Sequence, residues 1–350
     1  MARDSGTPIY SFLANSIIPA IYAIHNIEIQ TMSKKKIFRA LWLLFAAIIV
    51  VEIGVYIQEQ YNKSEDTKPI QSLRQGSADY CKKYPDFVET MHLQKPISID
   101  LSQRLKKGLV MITGGRERKV FQLPSWQDAG YLGPYALDEM GNLYVAPIPF
   151  VSIDEYDPEN QNVIYKVDTK SGVMKAFLEM PKARSPHANN PYNILGLAYD
   201  CDTKSLYVSS VTGSSYDDEV GRVYQVDVAQ KKVVDRLDQT DVIGLGIYNF
   251  EHQKKLYMGM ARVPEIRSIS LDEKGHFIQS PQLEFSLNEL PGGSYDKCHR
   301  IRFFGNNTME LKGIEFNYSL HAESKVQRNI YTFKLDHSTG QWTFVEVHKQ

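Results

Sequence analysis

The sequence predicts an all-β fold, a β-propeller, and three observations carry that reading. One strand pattern occurs twice between Gly133 and Lys255 and returns in altered form to the C-terminus. GPYALDEMGNLYVA followed by NVIYKVDTKSGVMKAFLEMP is one copy; NILGLAYDCDTKSLYVSS followed by RVYQVDVAQKKVVDRLDQ is the next. GLGIYNFEHQKKLYMGM with IRSISLDEKGHFI is a third, and GIEFNYS with NIYTFKLDHSTGQWTFVEV is the last. The second observation is a strand centred on Leu-Tyr-Val, at Leu143–Val145 and again at Leu206–Val208. The third is an Asp before each turn into a fourth strand: Asp168, Asp227, Asp272 and Asp336. Such a carboxylate bonds the backbone two residues on and favours chain reversal. Four short strands per unit, repeated radially, make a propeller.

Blades of about forty-five residues would fit six into residues 86–350. The visible cores are spaced more widely and account for five. The reading favours six blades, one degenerate or shared between the two ends, with five as the alternative. Closing the ring removes exposed sheet edges. Ile97–Leu101, Gly108–Gly114 and Lys119–Leu123 read as the first blade, with Ile97–Leu101 innermost. The many tyrosines at strand positions suit stacking between sheets.

The chain has 350 residues and a net charge of -1, enough for one large all-β domain and an anchor. Basic residues beyond residue 60 are interleaved with acidic ones, so no phosphate-tracking stripe exists and no nucleic-acid partner is expected. Residues 1–36 read as a cytoplasmic N-terminal segment. Within it, residues 1–31 are either a membrane-surface segment or an over-long start ahead of Met32. Lys34, Lys35, Lys36 and Arg39 front the apolar run Ala40–Ile57, which Glu52 interrupts. Residues 37–57 are therefore expected to be a single transmembrane signal anchor in contact with membrane lipid. The basic flank holds the N-terminus in the cytoplasm and sends the propeller to the periplasm or the extracellular or lumenal space. The run ends without a small-residue cleavage motif, which favours retention over cleavage. Residues 58–85 read as a polar stalk that need not pack.

Cys81, Cys201 and Cys298 include no C-x-x-C pair, so neither a thiol-redox motif nor a paired zinc knuckle is expected. Outside the cytoplasm a disulfide persists. Cys201 falls in a turn between first and second strands, and Cys298 in a connection entering an inner strand. Those loops lie on opposite faces of a propeller, beyond the roughly 7 Å Cα limit of a bridge. The expectation is Cys81–Cys298 or no bridge.

Loops entering the inner strands share a face with those joining second to third strands, and rigid sheets make such loops a natural place for function. Ser185–Asn193 brings His187, Asn189, Asn190 and Asn193 to one such entry. Amide oxygens suit a hard ion such as calcium, although an ordinary Asn/Pro turn has the same composition. Asp241 and Asp296 occupy comparable entries, and His299 follows. The candidate metal ligands are Asn190, Asn193 and Asp241; the candidate catalytic residues are Asp241 and His299. The loop acids Asp154, Glu155, Asp157, Glu159, Asp217, Asp218 and Glu219 would make one rim acidic. No G-x-S-x-G, H-E-x-x-H, P-loop or EF-hand pattern occurs, so no serine nucleophile or oxidoreductase cofactor site is expected.

Gly133–Val145, and Asn193–Tyr199 with Leu206–Val208, resemble the entry and second strands of six-bladed propellers of the SMP-30/gluconolactonase type. They are similar, more loosely, to the NHL and strictosidine-synthase-like groups. The resemblance covers about residues 130–260. It implies one divalent ion, calcium or another, held in the channel, with Asn193 and Asp241 matching family ligands. Leu132 stands where that family has Glu. It also implies hydrolysis of a lactone or ester, the ion polarising the carbonyl and Asp241 or His299 serving as base. Two functions follow. The preferred one is a membrane-tethered extracytoplasmic propeller that binds a protein or small solute at its channel face. The alternative is a divalent-metal-dependent lactonase or esterase.

Overall fold

The computed structural model describes residues 70, 73–93, 95–101, 107–114, 119–149, 159–185, 189–319 and 328–349, together with Trp42, Phe45 and Ile49. The chain divides into two units, Met1–Asn62 and Lys63–Gln350. The anchor expected over 37–57 lies outside the described residues apart from Trp42, Phe45 and Ile49, which are helical and exposed. Among the described residues, no helix is long and apolar enough to cross a membrane.

The second unit is a β-propeller of five blades, which corrects the preference for six. Among the described residues the first blade has three strands: β2 (Ile97–Asp100), β3 (Val110–Thr113) and β4 (Val120–Phe121). The second comprises β5 (Leu132–Leu137), β6 (Leu143–Pro147), β7 (Val163–Val167) and β8 (Met174–Glu179). The third comprises β9 (Ile194–Asp200), β10 (Ser205–Ser210), β11 (Arg222–Asp227) and β12 (Lys232–Leu237). The fourth comprises β13 (Val242–Phe250), β14 (Gln253–Met260), β15 (Glu265–Leu271) and β16 (Phe277–Ser286). The last comprises β17 (Asp296–Phe304), β18 (Thr308–Glu315), β19 (Asn329–Asp336) and β20 (Gln341–Lys349). Every pairing within a blade is antiparallel. The miscount has a physical source. Strands of eight to ten residues dominate the last two blades, and they absorb the length assigned to a sixth.

The Leu-Tyr-Val strand makes the interfaces between blades. Side chains alternate across a sheet, so one face takes the two aliphatics and the other the tyrosine. Leu143 and Val145 pack towards the first blade with Met111 and Trp126, while Tyr144 packs towards the third with Leu206 and Val208. Tyr207 then packs towards the fourth blade, and Tyr257 towards the fifth. Each tyrosine is at most 4% exposed. Removing 150–250 Å² per aromatic side chain from water is worth roughly 4 kcal/mol gross, before conformational entropy is counted. In β18 the corresponding run is Met309-Glu310-Leu311. Met309 and Leu311 face the fourth blade, and Glu310 takes the position of the tyrosine. Among the described residues no hydrophobic cluster joins the fifth blade to the first.

The turn aspartates behave as their spacing suggests. Asp168, Asp272 and Asp336 each accept a bond from the backbone two residues on, at 3.1, 2.8 and 2.8 Å. Asp227 reaches Gln230 N, three residues on, at 2.8 Å.

The segment expected as a polar stalk is described at residue 70 and from residue 73 onward, and from residue 73 it is part of the propeller. β1 (Gly76–Ser77) pairs antiparallel with β13 on the edge that β14 leaves free, so it lies on the channel side of an inner strand. Ala78 N donates to Ile247 O at 3.0 Å, and Cys201 N donates to Ala78 O at 2.9 Å. This strap carries Cys81 to the β9–β10 turn, where it forms a disulfide with Cys201, Cα–Cα 5.8 Å. That corrects the expected Cys81–Cys298 bridge. Cys298 lies within the inner strand β17, not in a connection; it is a free, buried thiol whose pKa burial pushes up to about 12.

Candidate functional site

Asp241 ends the β12–β13 connection and is fully buried. Ser214 Oγ donates to its Oδ1 at 2.6 Å, and Gly221 N donates to the same oxygen at 2.9 Å. The Tyr318 hydroxyl donates to Oδ2. Arg262 Nη1 stands 3.6 Å from Oδ2. The approach of Gly221 is so close that a Cβ there would lie 2.1 Å from Oδ1, which demands glycine. Burial raises the pKa of the Asp241 carboxyl, while Ser214, Tyr318, Gly221 and Arg262 favour its ionised form and oppose that shift. Burial also raises the Tyr318 hydroxyl, and the adjacent Asp241 charge adds to the effect.

Arg262 is the outward link of this cluster. Its Nη1 donates to Ser215 O at 2.8 Å, and its Nη2 donates to Tyr216 O. The buried carboxylate thus orients a guanidinium that clamps the backbone of the β10–β11 loop. That loop presents Tyr216, 84% exposed. The β16–β17 connection on the same face presents Tyr295, 76% exposed. Exposed tyrosines offer an apolar ring and a polar tip, a combination favoured at binding surfaces.

Asn190 is fully buried. Its amide nitrogen donates to Val211 O and Ser214 O, each at 2.9 Å, and its oxygen accepts from Tyr192 N at 3.0 Å. Asn193, 1% exposed, accepts from Thr212 Oγ1 at 2.7 Å. Asn190 and Asp241 therefore meet through Ser214, one at its carbonyl and the other at its hydroxyl. His299 belongs elsewhere: its Nδ1 is 3.0 Å from Lys312 O in the fifth blade, and no hydrogen bond connects it with Asp241 among the described residues. Burial pushes the imidazole pKa down to about 4, with Lys312, Arg328 and Arg300 adding to the fall. His187, Asp154, Glu155 and Asp157 lie outside the described residues. Of the other loop acids, Asp218 pairs with Arg184, and Glu219 Oε1 accepts from Asp241 N at 2.9 Å.

A divalent ion needs several oxygens free to converge on it. Here both Asp241 oxygens and the Asn190 oxygen already accept protein hydrogen bonds, and a guanidinium stands where a cation would compete. The donor set suits an arginine better than calcium. Among the described residues there is no group of three or more His, Cys, Asp or Glu side chains able to hold a metal. Sequence reasoning missed Ser214, Arg262 and Tyr318. Ser214 had a local signal, since it lies in the loop already singled out for its acids. Arg262 follows β14, the partner of Asp241's own strand in the fourth blade, and Tyr318 follows β18 of the fifth; neither lies near Asp241 in sequence, so nothing local reports them.

No protein-family model matches the chain, and no curated protein matches it either. Solved structures similar to it include the exo-β-1,3-galactanase of Phanerochaete chrysosporium with galactose, 11% identical over 74% of this chain and 63% of that one, TM-score 0.43. A GH43 β-1,3-galactosidase with galactodeoxynojirimycin is 9% identical over 68% of this chain and 85% of that one, TM-score 0.42. The N-terminal domain of Nup159 is 13% identical over 81% of this chain and 65% of that one, TM-score 0.36. The chain spans less than two thirds of the galactanase and of the Nup159 domain. Membership of the SMP-30/gluconolactonase superfamily is not among these findings. The likeness is one of propeller architecture and carries no argument about activity.

Proposed function

We propose that this protein is a membrane-tethered extracytoplasmic propeller that binds a protein or small solute on the loop face around its channel, without hydrolysing it. The observation that carries the reading is the path from Asp241 through Arg262 to the backbone of Tyr216. The best catalytic candidate in the sequence is committed to holding a loop, and that loop displays an exposed aromatic ring. Asp241 is thus a positioning residue. The tether rests on the basic flank and apolar run of residues 34–57.

The test uses the full chain in its native membrane, with a photo-crosslinking residue at Tyr216 or Tyr295 and a control at Tyr84, which is exposed and distant from these loops in the fold. A discrete adduct from the two rim positions and none from Tyr84 supports the reading. Equal labelling from all three, or turnover of simple lactones or esters by the purified chain, overturns it. Protease added outside intact cells should digest the propeller; protection until lysis would reject the orientation.

A further inference from the structure

A cleft of about 390 Å³ opens between the third and fourth blades, on the face opposite the tyrosine rim. Ser205 follows the β9–β10 turn, Gln225 and Asp227 end β11, Val234 lies past the β11–β12 turn, and Glu273 and Lys274 belong to the β15–β16 turn. That last turn is fixed against the third blade. The Tyr207 hydroxyl donates to Gly275 O at 2.5 Å, and Phe277 N donates to Asp235 Oδ2 at 2.8 Å. Gly275 has φ +83°, and a Cβ there would lie 2.5 Å from the Tyr207 hydroxyl and 2.7 Å from Gln225 Nε2, so the close approach requires glycine. In the pairing of β11 with β12, Gln225 faces Asp235 but Val226 faces Val233. Val234 is the extra residue of that bulge, and it adds an apolar side chain to the wall.

Gln225 is 1% exposed. Its amide nitrogen donates to Ser205 Oγ at 3.0 Å and to Lys274 O at 2.7 Å. Both N–H groups are thereby used, and turning the amide over would set its oxygen against the Lys274 carbonyl. Gln225 Oε1 has no hydrogen-bond partner among the described residues. A buried acceptor left unpaired is costly, so this wall calls for a donor. The carboxylates of Asp227 and Glu273 stand in the same wall, and Asp227 spends only Oδ1, on Gln230 N at 2.8 Å. Lys274 brings one positive charge against these two, and His276 Nδ1 lies 3.7 Å from Asp272 Oδ2. From this geometry we infer a binding site for a small organic ammonium group, with Gln225 Oε1, Asp227 and Glu273 accepting from it and Val234 against its alkyl chain. An ammonium carries three donors and no acceptor, which matches a wall whose unmatched groups are acceptors. A phosphate or carboxylate has the opposite character. The cleft is within the size range of small-molecule sites, roughly 300–1,000 Å³. A free diamine and the lysine side chain of a peptide share this chemistry. The site is independent of Asp241, Arg262 and the tyrosine rim.

The experiment is titration calorimetry on the full chain in detergent at fixed ionic strength. The probes are 1,5-diaminopentane and Nα-acetyl-lysine methylamide; sodium chloride and the neutral polyol xylitol are the controls. The expected result is saturable binding of at least one amine, and the tighter of the two identifies the source. Glu273→Gln should weaken binding about tenfold, the loss of roughly one charge-assisted hydrogen bond. Gln225→Leu removes the unpaired acceptor and should weaken binding at least as much. Asp227→Asn keeps an acceptor for Gln230 N and supplies the second reading if Gln225→Leu does not fold. Tyr216→Ala should leave amine affinity unchanged, so a failure here is distinguishable from a failure of the rim. The inference is overturned if neither amine binds, if binding is indifferent to both Glu273→Gln and Asp227→Asn, or if xylitol binds as tightly as the amines.

Discussion

Lys254 and Asp200 form a buried ion pair, Nζ donating to Oδ1 at 2.8 Å and to Oδ2 at 2.6 Å, with the two side chains 1% and 0% exposed. Asp202 Oδ2 lies 2.9 Å from the same ammonium and also accepts from Asn249. Tyr80 of the strap donates to Asp202 Oδ1 at 2.8 Å. The ammonium therefore serves both the β9–β10 turn and the strap laid over it. Lys254→Met keeps the aliphatic stem but strands two carboxylates. Breaking a buried pair from one side costs about 3–5 kcal/mol. Urea unfolding should show that loss, and Asp200→Asn in the same chain should recover part of it. A double variant no better than the single one would mean that the pair is not coupled.

The disulfide sets a second expectation. Cys81 and Cys201 are 120 residues apart in sequence, and a cross-link closing so long a loop stabilises by about 2–4 kcal/mol in practice. Cys81→Ser should lose that much. Amide exchange should quicken over residues 76–83 before it does in the blades, because the strap keeps its hydrogen bonds to Ile247 and Asp202 but loses its covalent hold. Non-reducing peptide mapping should join the peptides of Cys81 and Cys201. A peptide joining Cys298 to either would contradict the fold of this face.

The blades were legible because their signals are local. The period-two strands and the turn aspartates each report on neighbours a few residues away. The number of blades was less so, since strand length in β16 or β20 is decided by packing and not by any turn signal. The fifth blade was misread in detail: the sequence reading placed Cys298 in the connection ahead of the inner strand, whereas β17 already begins at Asp296. That error moved Cys298 into a loop and hid the role of Cys81. Asp241 was found because it ends a turn. Its partners were not: Arg262 meets it only once β13 pairs with β14, and Tyr318 only once the fifth blade packs beside the fourth.

Asp241→Asn tests the clamp. The amide presents an N–H to groups that are themselves donors, Ser214, Gly221 or Tyr318, and it removes the charge that faces Arg262. A buried mismatch of this kind costs about 1–3 kcal/mol. The variant should fold, melt lower and show faster amide exchange in the Tyr216 loop. Calcium should leave the melting temperature of both proteins unchanged. A calcium-dependent rise in wild type that disappears in Asp241→Asn would restore the metal-dependent hydrolase.

His299 gives the protein a pH dependence of defined sign. Its pKa falls from 6.5 to about 4 on folding, chiefly through burial, with Lys312, Arg328 and Arg300 contributing. Above pH 6.5 the imidazole is neutral in both states, and its contribution is fully present. Between 6.5 and about 4 the unfolded chain takes up a proton that the folded chain refuses, so stability falls as the pH falls. The full difference is about 3 kcal/mol, at 1.36 kcal/mol for each pKa unit. Urea midpoints at pH 7, 5.5 and 4.5 should decline accordingly. His299→Gln retains a donor for Lys312 O and has no proton to gain, so its decline over that window should be shallower by one proton. If the two proteins lose stability in parallel, His299 titrates normally in the fold, and the burial and cationic neighbours assigned to it are wrong.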